Sequence, residues 1–65
     1  MNYKELMGSM ESIYEKHNED PVYVHAFIDA IIYALAKFDY ISDDEALSAY
    51  GKNSDLFTER MGEDF

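Results

Sequence analysis

Between Pro21 and Phe38 the chain reads PVYVHAFIDAIIYALAKF. Set on a helix at about 100° per residue, Tyr23, Val24, Phe27, Ile28, Ala30, Ile31, Ala34, Leu35 and Phe38 cover more than half of the circumference, with Ile32 at the edge of that arc. His25, Asp29 and Lys37 mark a narrow polar side, diluted by Ala26, Tyr33 and Ala36. A helix with so wide an apolar arc has to be contacted from at least two directions. The remaining segments read as its cover.

Upstream, residues 2–17 carry Tyr3, Leu6, Met7, Met10, Ile13, Tyr14 and His17 at alternating steps of three and four. The pattern predicts an amphipathic helix with an apolar arc of roughly 120° and with Glu5, Glu11, Ser12, Glu15 and Lys16 opposite. His17 is expected to be a half-buried packing residue. Asn18-Glu19-Asp20-Pro21 breaks the pattern. Asp20 suits an N-cap, and Pro21 suits the first helical position, where its missing N–H leaves nothing unpaired. A break this short predicts a second helix over 21–38, paired with the first as an antiparallel hairpin.

Downstream, Asp39-Tyr40-Ile41 ends the second helix and Ser42-Asp43-Asp44-Glu45 opens another. Serine followed three residues later by glutamate is the signature of a capping box, and three carboxylates in the first turn favour the positive end of the helix dipole. A helix over about 43–50 is expected, with Ala46, Leu47 and Tyr50 inward and Gly51 as its stop. Ser54 can then cap a last short turn over 55–61 that carries Leu56, Phe57 and Met61. Residues 62–65 are expected to fray. The expected architecture is all-α: a helical hairpin over 2–17 and 21–38, covered by one or two short C-terminal helices, in one small domain over 1–65.

Size sharpens that picture. A chain of 65 residues buries only about 60% of the surface its unfolded form exposes, so a lone monomer is marginal. Small domains recover stability through disulfides, metals or oligomerisation. Cysteine is absent, and the two histidines, His17 and His25, make a weak case for metal. A homodimer through the second helix, with Phe27, Ile31 and Leu35 near the contact, is therefore expected. No metal, cofactor-binding or catalytic residue is assigned.

Charge narrows the partners. Fourteen acids against five bases give −9, of which residues 1–38 contribute −3 and residues 39–65 contribute −6. A field of that sign repels nucleic acid and anionic membranes and attracts basic protein surfaces. Direct nucleic-acid binding is not expected. Val22–Phe38 holds His25, Asp29 and Lys37 within about 17 residues, against a membrane span. Glu5, Glu11 and Glu15 stand where an export signal would need an apolar run, so a cytoplasmic location is expected.

Candidate chemistry is sparse. Gly8, Gly51 and Gly62 are isolated, so no loop cradles a phosphate, and no serine stands in a triad-like spacing with His17 or His25. His25 and Asp29, one helical turn apart, could accompany each other at a metal, but read first as a local hydrogen-bonded pair. Asp39, Asp43, Asp44 and Glu45 form the acidic cluster best placed to meet a protein partner, and Tyr33 stands out as an aromatic on an otherwise polar arc. The run YISDDEALSAY, Tyr40–Tyr50, is similar over about ten residues to a helix start in the Hha/YmoA family of small bacterial regulators. Within it, Ser42, Asp43 and Glu45 are the residues that a capping box selects, and no property of that family is carried over.

The functional expectation is a small acidic, non-enzymatic protein-interaction module. Phage and mobile-element proteins of this kind inhibit or redirect a host factor, here a nucleic-acid-binding protein met through the acidic helical face. The alternative expectation is a dimerising assembly module that docks a hydrophobic partner and gives the acids no role.

Overall fold

In a computed structural model, which describes residues 1–62, the chain is all-helical. Three helices follow one another: α1 (Tyr3–Lys16), α2 (Pro21–Lys37) and α3 (Asp43–Met61). Residues 63–65, part of the segment expected to fray, lie outside the described residues.

Each start has a local cause. At α1, Asn2 accepts the Glu5 backbone N–H at 2.8 Å while the Glu5 carboxylate accepts the Asn2 N–H at 3.3 Å, a reciprocal box that offsets two orphan donors. Asp20 accepts the Tyr23 N–H at 3.3 Å ahead of Pro21. At α3, Ser42 Oγ accepts the Glu45 N–H at 3.1 Å, and Glu45 Oε1 accepts the Ser42 N–H at 2.9 Å.

The C-terminal part departs from expectation. Gly51 does not stop the third helix, and one 19-residue helix replaces the two short ones expected over 43–50 and 55–61. Gly51 has no positive φ, and its backbone simply continues the helix. The buried positions Ala46, Ala49, Asn53 and Leu56 recur at steps of three and four across it, so one continuous stripe faces the core. Leu47, expected inward, lies off this stripe and is 69% exposed, and Ser54 is an exposed residue of the helix interior rather than a cap.

The α1–α2 pairing expected as a hairpin is not the principal helix contact. α2 meets α3 most extensively, α1 meets α3 next, and α1 and α2 share the smallest interface. A short connection joins the ends of two helices without obliging their lengths to pack together. α3 instead ties down α1, through Lys52, whose Nζ donates to the Met7 carbonyl at 2.9 Å and lies 3.7 Å from Glu11. His17, expected to be half-buried, is exposed, because α1 ends at Lys16 and His17 caps it outside the helical arc.

The core consists of Leu6, Met10 and Tyr14 from α1, Val24, Ile28 and Ile32 from α2, Ile41 from the turn, and Ala46, Ala49 and Leu56 from α3. Ile32, at the edge of the apolar arc in sequence, is fully buried. α3 covers α2 on the side of His25 and Asp29, so α2 is turned away from the orientation its hydropathy suggests. The part of its apolar arc that carries Tyr23, Phe27, Ala30, Ala34 and Phe38 is consequently left open.

The turn between α2 and α3 holds one strained residue. Asp39 has φ 63°, the left-handed conformation that an ordinary L residue adopts at a cost. Around it the Asp39 N–H donates to Ala36 O at 3.1 Å, and the Tyr40 N–H donates to Leu35 O at 2.8 Å. This is the Schellman pattern, in which glycine is the usual residue at the Asp39 position. Asp39→Gly should therefore stabilise the fold by about 1 kcal/mol, raising the melting temperature by roughly 4–8 °C. Thermal unfolding of the two proteins at equal concentration checks it; a lower melting temperature for the glycine variant would contradict the assignment.

Candidate interaction surfaces

Buried polarity is concentrated at one residue. Asn53, at the centre of α3, is fully buried, and its side chain joins all three helices. Its Nδ2 donates to Asp29 Oδ1 at 2.8 Å and to the His25 carbonyl at 3.0 Å, while its Oδ1 accepts from the Tyr14 hydroxyl at 2.6 Å. A carboxylate can only accept, so Nδ2 must face Asp29 and Tyr14 must donate. Burial of Tyr14 and the charge of Asp29 push the phenol up to about 12, against a smaller opposing effect of Arg60, whose guanidinium lies 5.0 Å from the ring centroid.

His25 and Asp29 both adjoin this network. His25 Nδ1 lies 3.8 Å from Asp29 Oδ2, its ring lies 4.7 Å from that of Phe57, and Asp29 is already engaged by Asn53. Among the described residues, no three His, Asp or Glu side chains are placed to share a metal ion. His17, Glu19 and Asp20 do line a cleft of about 380 Å³ with Ile13, Tyr23, Val24 and Phe27, at the junction of α1 and α2.

Two surfaces are exposed and uncompensated. The first is a groove between α2 and α3 lined by Tyr33, Ala36, Lys37, Asp43, Ala46, Leu47 and Tyr50. Tyr33 and Leu47 are 59% and 69% exposed. Of the acidic cluster, Asp43 lines this groove, Asp39 and Asp44 are exposed, and Glu45 is half-buried with one oxygen committed to the Ser42 cap. The structure thus brings Tyr33 and Asp43 together and withdraws Glu45 in part. Leu47 belongs to the same surface but escaped the sequence reading, which turned it inward.

The second surface is the open side of α2. Val22, Tyr23, Ala26, Phe27, Ala30, Tyr33, Ala34 and Phe38 are all exposed, and Lys37 is the one charged residue among them. Of the three residues expected at a dimer contact, Phe27 is exposed, whereas Ile31 and Leu35 are half-buried and packed against the core.

No family model matches the chain, and no curated protein or solved structure matches it. No helix of the described residues is long and apolar enough to cross a membrane.

Proposed function

We propose that this chain is a non-enzymatic protein-interaction module that assembles as a homodimer through α2 and receives a basic, amphipathic segment of a partner in the α2–α3 groove. The observation that carries the reading is the pairing of exposed apolar anchors, Tyr33 and Leu47, with the carboxylate of Asp43 along one groove. An apolar centre with a charged rim is the usual anatomy of a recognition surface, and the rim sets the sign of the partner. Lys37 lines the groove as well, so its negative sign comes from Asp43 together with exposed Asp44 and with Asp39 in the turn before α3. Keeping aspartate in the left-handed position that glycine would fill better also fits selection for charge there. Nucleic-acid-binding proteins are one natural source of such basic segments, which gives this module the means to compete with nucleic acid.

The test uses two synthetic helical peptides of equal length, each with a leucine face, one otherwise rich in lysine and arginine and the other rich in glutamate. The full chain should bind the basic peptide and not the acidic one, and binding should weaken as salt rises. Asp43→Asn with Asp44→Asn should reduce affinity for the basic peptide mainly at low salt, whereas Leu47→Ala should reduce it at every salt concentration. Equal binding of both peptides, insensitive to salt, would instead favour a hydrophobic docking module in which the acids have no role. Binding of neither would remove the groove from consideration.

A further inference from the structure

The α2–α3 groove has a shape as well as a charge. Asn53 bonds Asp29, and Phe57 packs on His25, so α2 and α3 run antiparallel and the groove residues fall in order along them. Lys37 and Asp43 stand at the turn end, Ala36, Ala46 and Leu47 in the middle, and Tyr33 and Tyr50 at the far end. Ala46 is buried and Ala36 half-buried, whereas Tyr33 and Leu47 are exposed beside them. The middle of the groove is therefore a depression with an alanine floor and walls of large side chains. We infer that its occupant is a basic helix of a partner protein, held by one apolar side chain of leucine size or larger seated over Ala36 and Ala46, with a lysine or arginine one helical turn away at Asp43. This rests on the groove reading proposed above and fixes the conformation and residue pattern of the segment received.

Helical conformation follows from the walls. Both are helices whose backbone groups are paired internally, so an extended segment between them would lose water from its own N–H and C=O groups without finding a ladder of partners. A helix arrives with its backbone already paired and offers side chains at steps of three and four, the mode in which amphipathic helices enter grooves.

The pattern follows from the order of the lining. Asp43 and Tyr50 are seven residues apart, about 10 Å or two turns along α3, so a partner helix presents three levels of side chains over the groove. The middle level meets the alanine floor, where a large apolar side chain fills the depression between Tyr33 and Leu47. Anchors seated in a pocket concentrate binding energy in a few residues. The turn-end level meets Asp43, with Asp44 and Asp39 exposed near by, against the single base Lys37. Lys37 stands on the α2 wall, so a basic side chain there leans toward α3. The same excess of carboxylate disfavours a second copy of this −9 chain as the occupant.

The probe is the basic, leucine-faced peptide described above, with each leucine replaced in turn by alanine. One replacement should weaken binding about tenfold or more, and each of the others less than about threefold. Proline in the middle of the peptide, which breaks a helix, should abolish binding. In the chain, Ala36→Leu fills the depression and should weaken the unmodified peptide by about tenfold while leaving the peptide without its anchor leucine unaffected. Circular dichroism checks that this variant folds, and the peptide scan needs no change in the chain. Losses spread evenly over the leucines would overturn the single anchor, and an anchor insensitive to Ala36→Leu would overturn its seat. Full binding by the proline peptide would overturn the helix. All three leave the groove reading intact, whereas binding of neither the basic nor the acidic peptide would remove that reading and this inference together. A dimer that Ala36→Leu, still helical, converts to a 7.6 kDa species would give the groove to a second copy and overturn the basic helix.

Discussion

Asn53→Leu should be among the most damaging single changes on α3, costing about 2–4 kcal/mol and lowering the melting temperature by roughly 10–25 °C. Leucine fills a similar volume, so the loss is not one of packing. It removes the 2.6 Å acceptor of the fully buried Tyr14 hydroxyl and leaves it only the long contact to the backbone carbonyl of residue 53 at 3.4 Å. A buried donor without an acceptor bears its full desolvation penalty, whereas removing both members of such a pair can be nearly neutral. Tyr14→Phe combined with Asn53→Leu should therefore recover most of the stability lost by Asn53→Leu alone. Asp29, whose side chain is 39% exposed, can exchange its lost partner for water in either variant. Denaturant unfolding of both singles and the double closes the cycle. Additive losses would mean that the 2.6 Å hydrogen bond contributes little.

Alkaline unfolding should begin near pH 10 and depend on Tyr14. Its phenol titrates at about 12 in the fold against 10.0 in the unfolded chain, because burial and Asp29 disfavour the phenolate. The folded state thus holds a proton that the unfolded state releases. Stability is complete below pH 10, falls as pH rises from 10 to 12, and is lower above that by an amount on the order of 2–3 kcal/mol. Ionisation would also remove the donor that Asn53 Oδ1 requires. Tyr14→Phe should start from a lower stability at pH 8 but decline less steeply between pH 10 and 12. Parallel slopes for the two proteins would show that the other tyrosines, not Tyr14, govern the alkaline transition.

What the sequence makes legible here is mainly local. Asp20-Pro21 and the Ser42–Glu45 box state where two helices begin, because an N-cap is satisfied within four residues of itself. The amphipathic period of α1 identifies Leu6, Met10 and Tyr14 as core. The length of α3 is harder to read. Its buried stripe is two alanines, an asparagine and a leucine, too weak in hydropathy to outweigh Gly51 as a stop signal. The facing of α2 is hidden for a related reason. Hydropathy alone turns its polar side outward, yet Asn53 satisfies that side, and the partners Asn53 needs lie 24 and 39 residues away in sequence. Tyr33 and Asp43 were legible as surface features, but the groove that joins them to Leu47 exists only once α3 runs unbroken beside α2.

The separation of charge from the open face of α2 gives the two proposed associations opposite responses to mobile ions. Two copies of a −9 chain repel each other at long range, while the contact between them is apolar apart from Lys37. Added salt screens that repulsion and leaves the apolar contact intact, so self-pairing tightens. The same ions weaken the attraction between Asp43 and a basic partner. Under these two proposals ionic strength would act as a selector: a dilute medium would favour the partnered, less self-associated chain, and a concentrated one the bare homodimer.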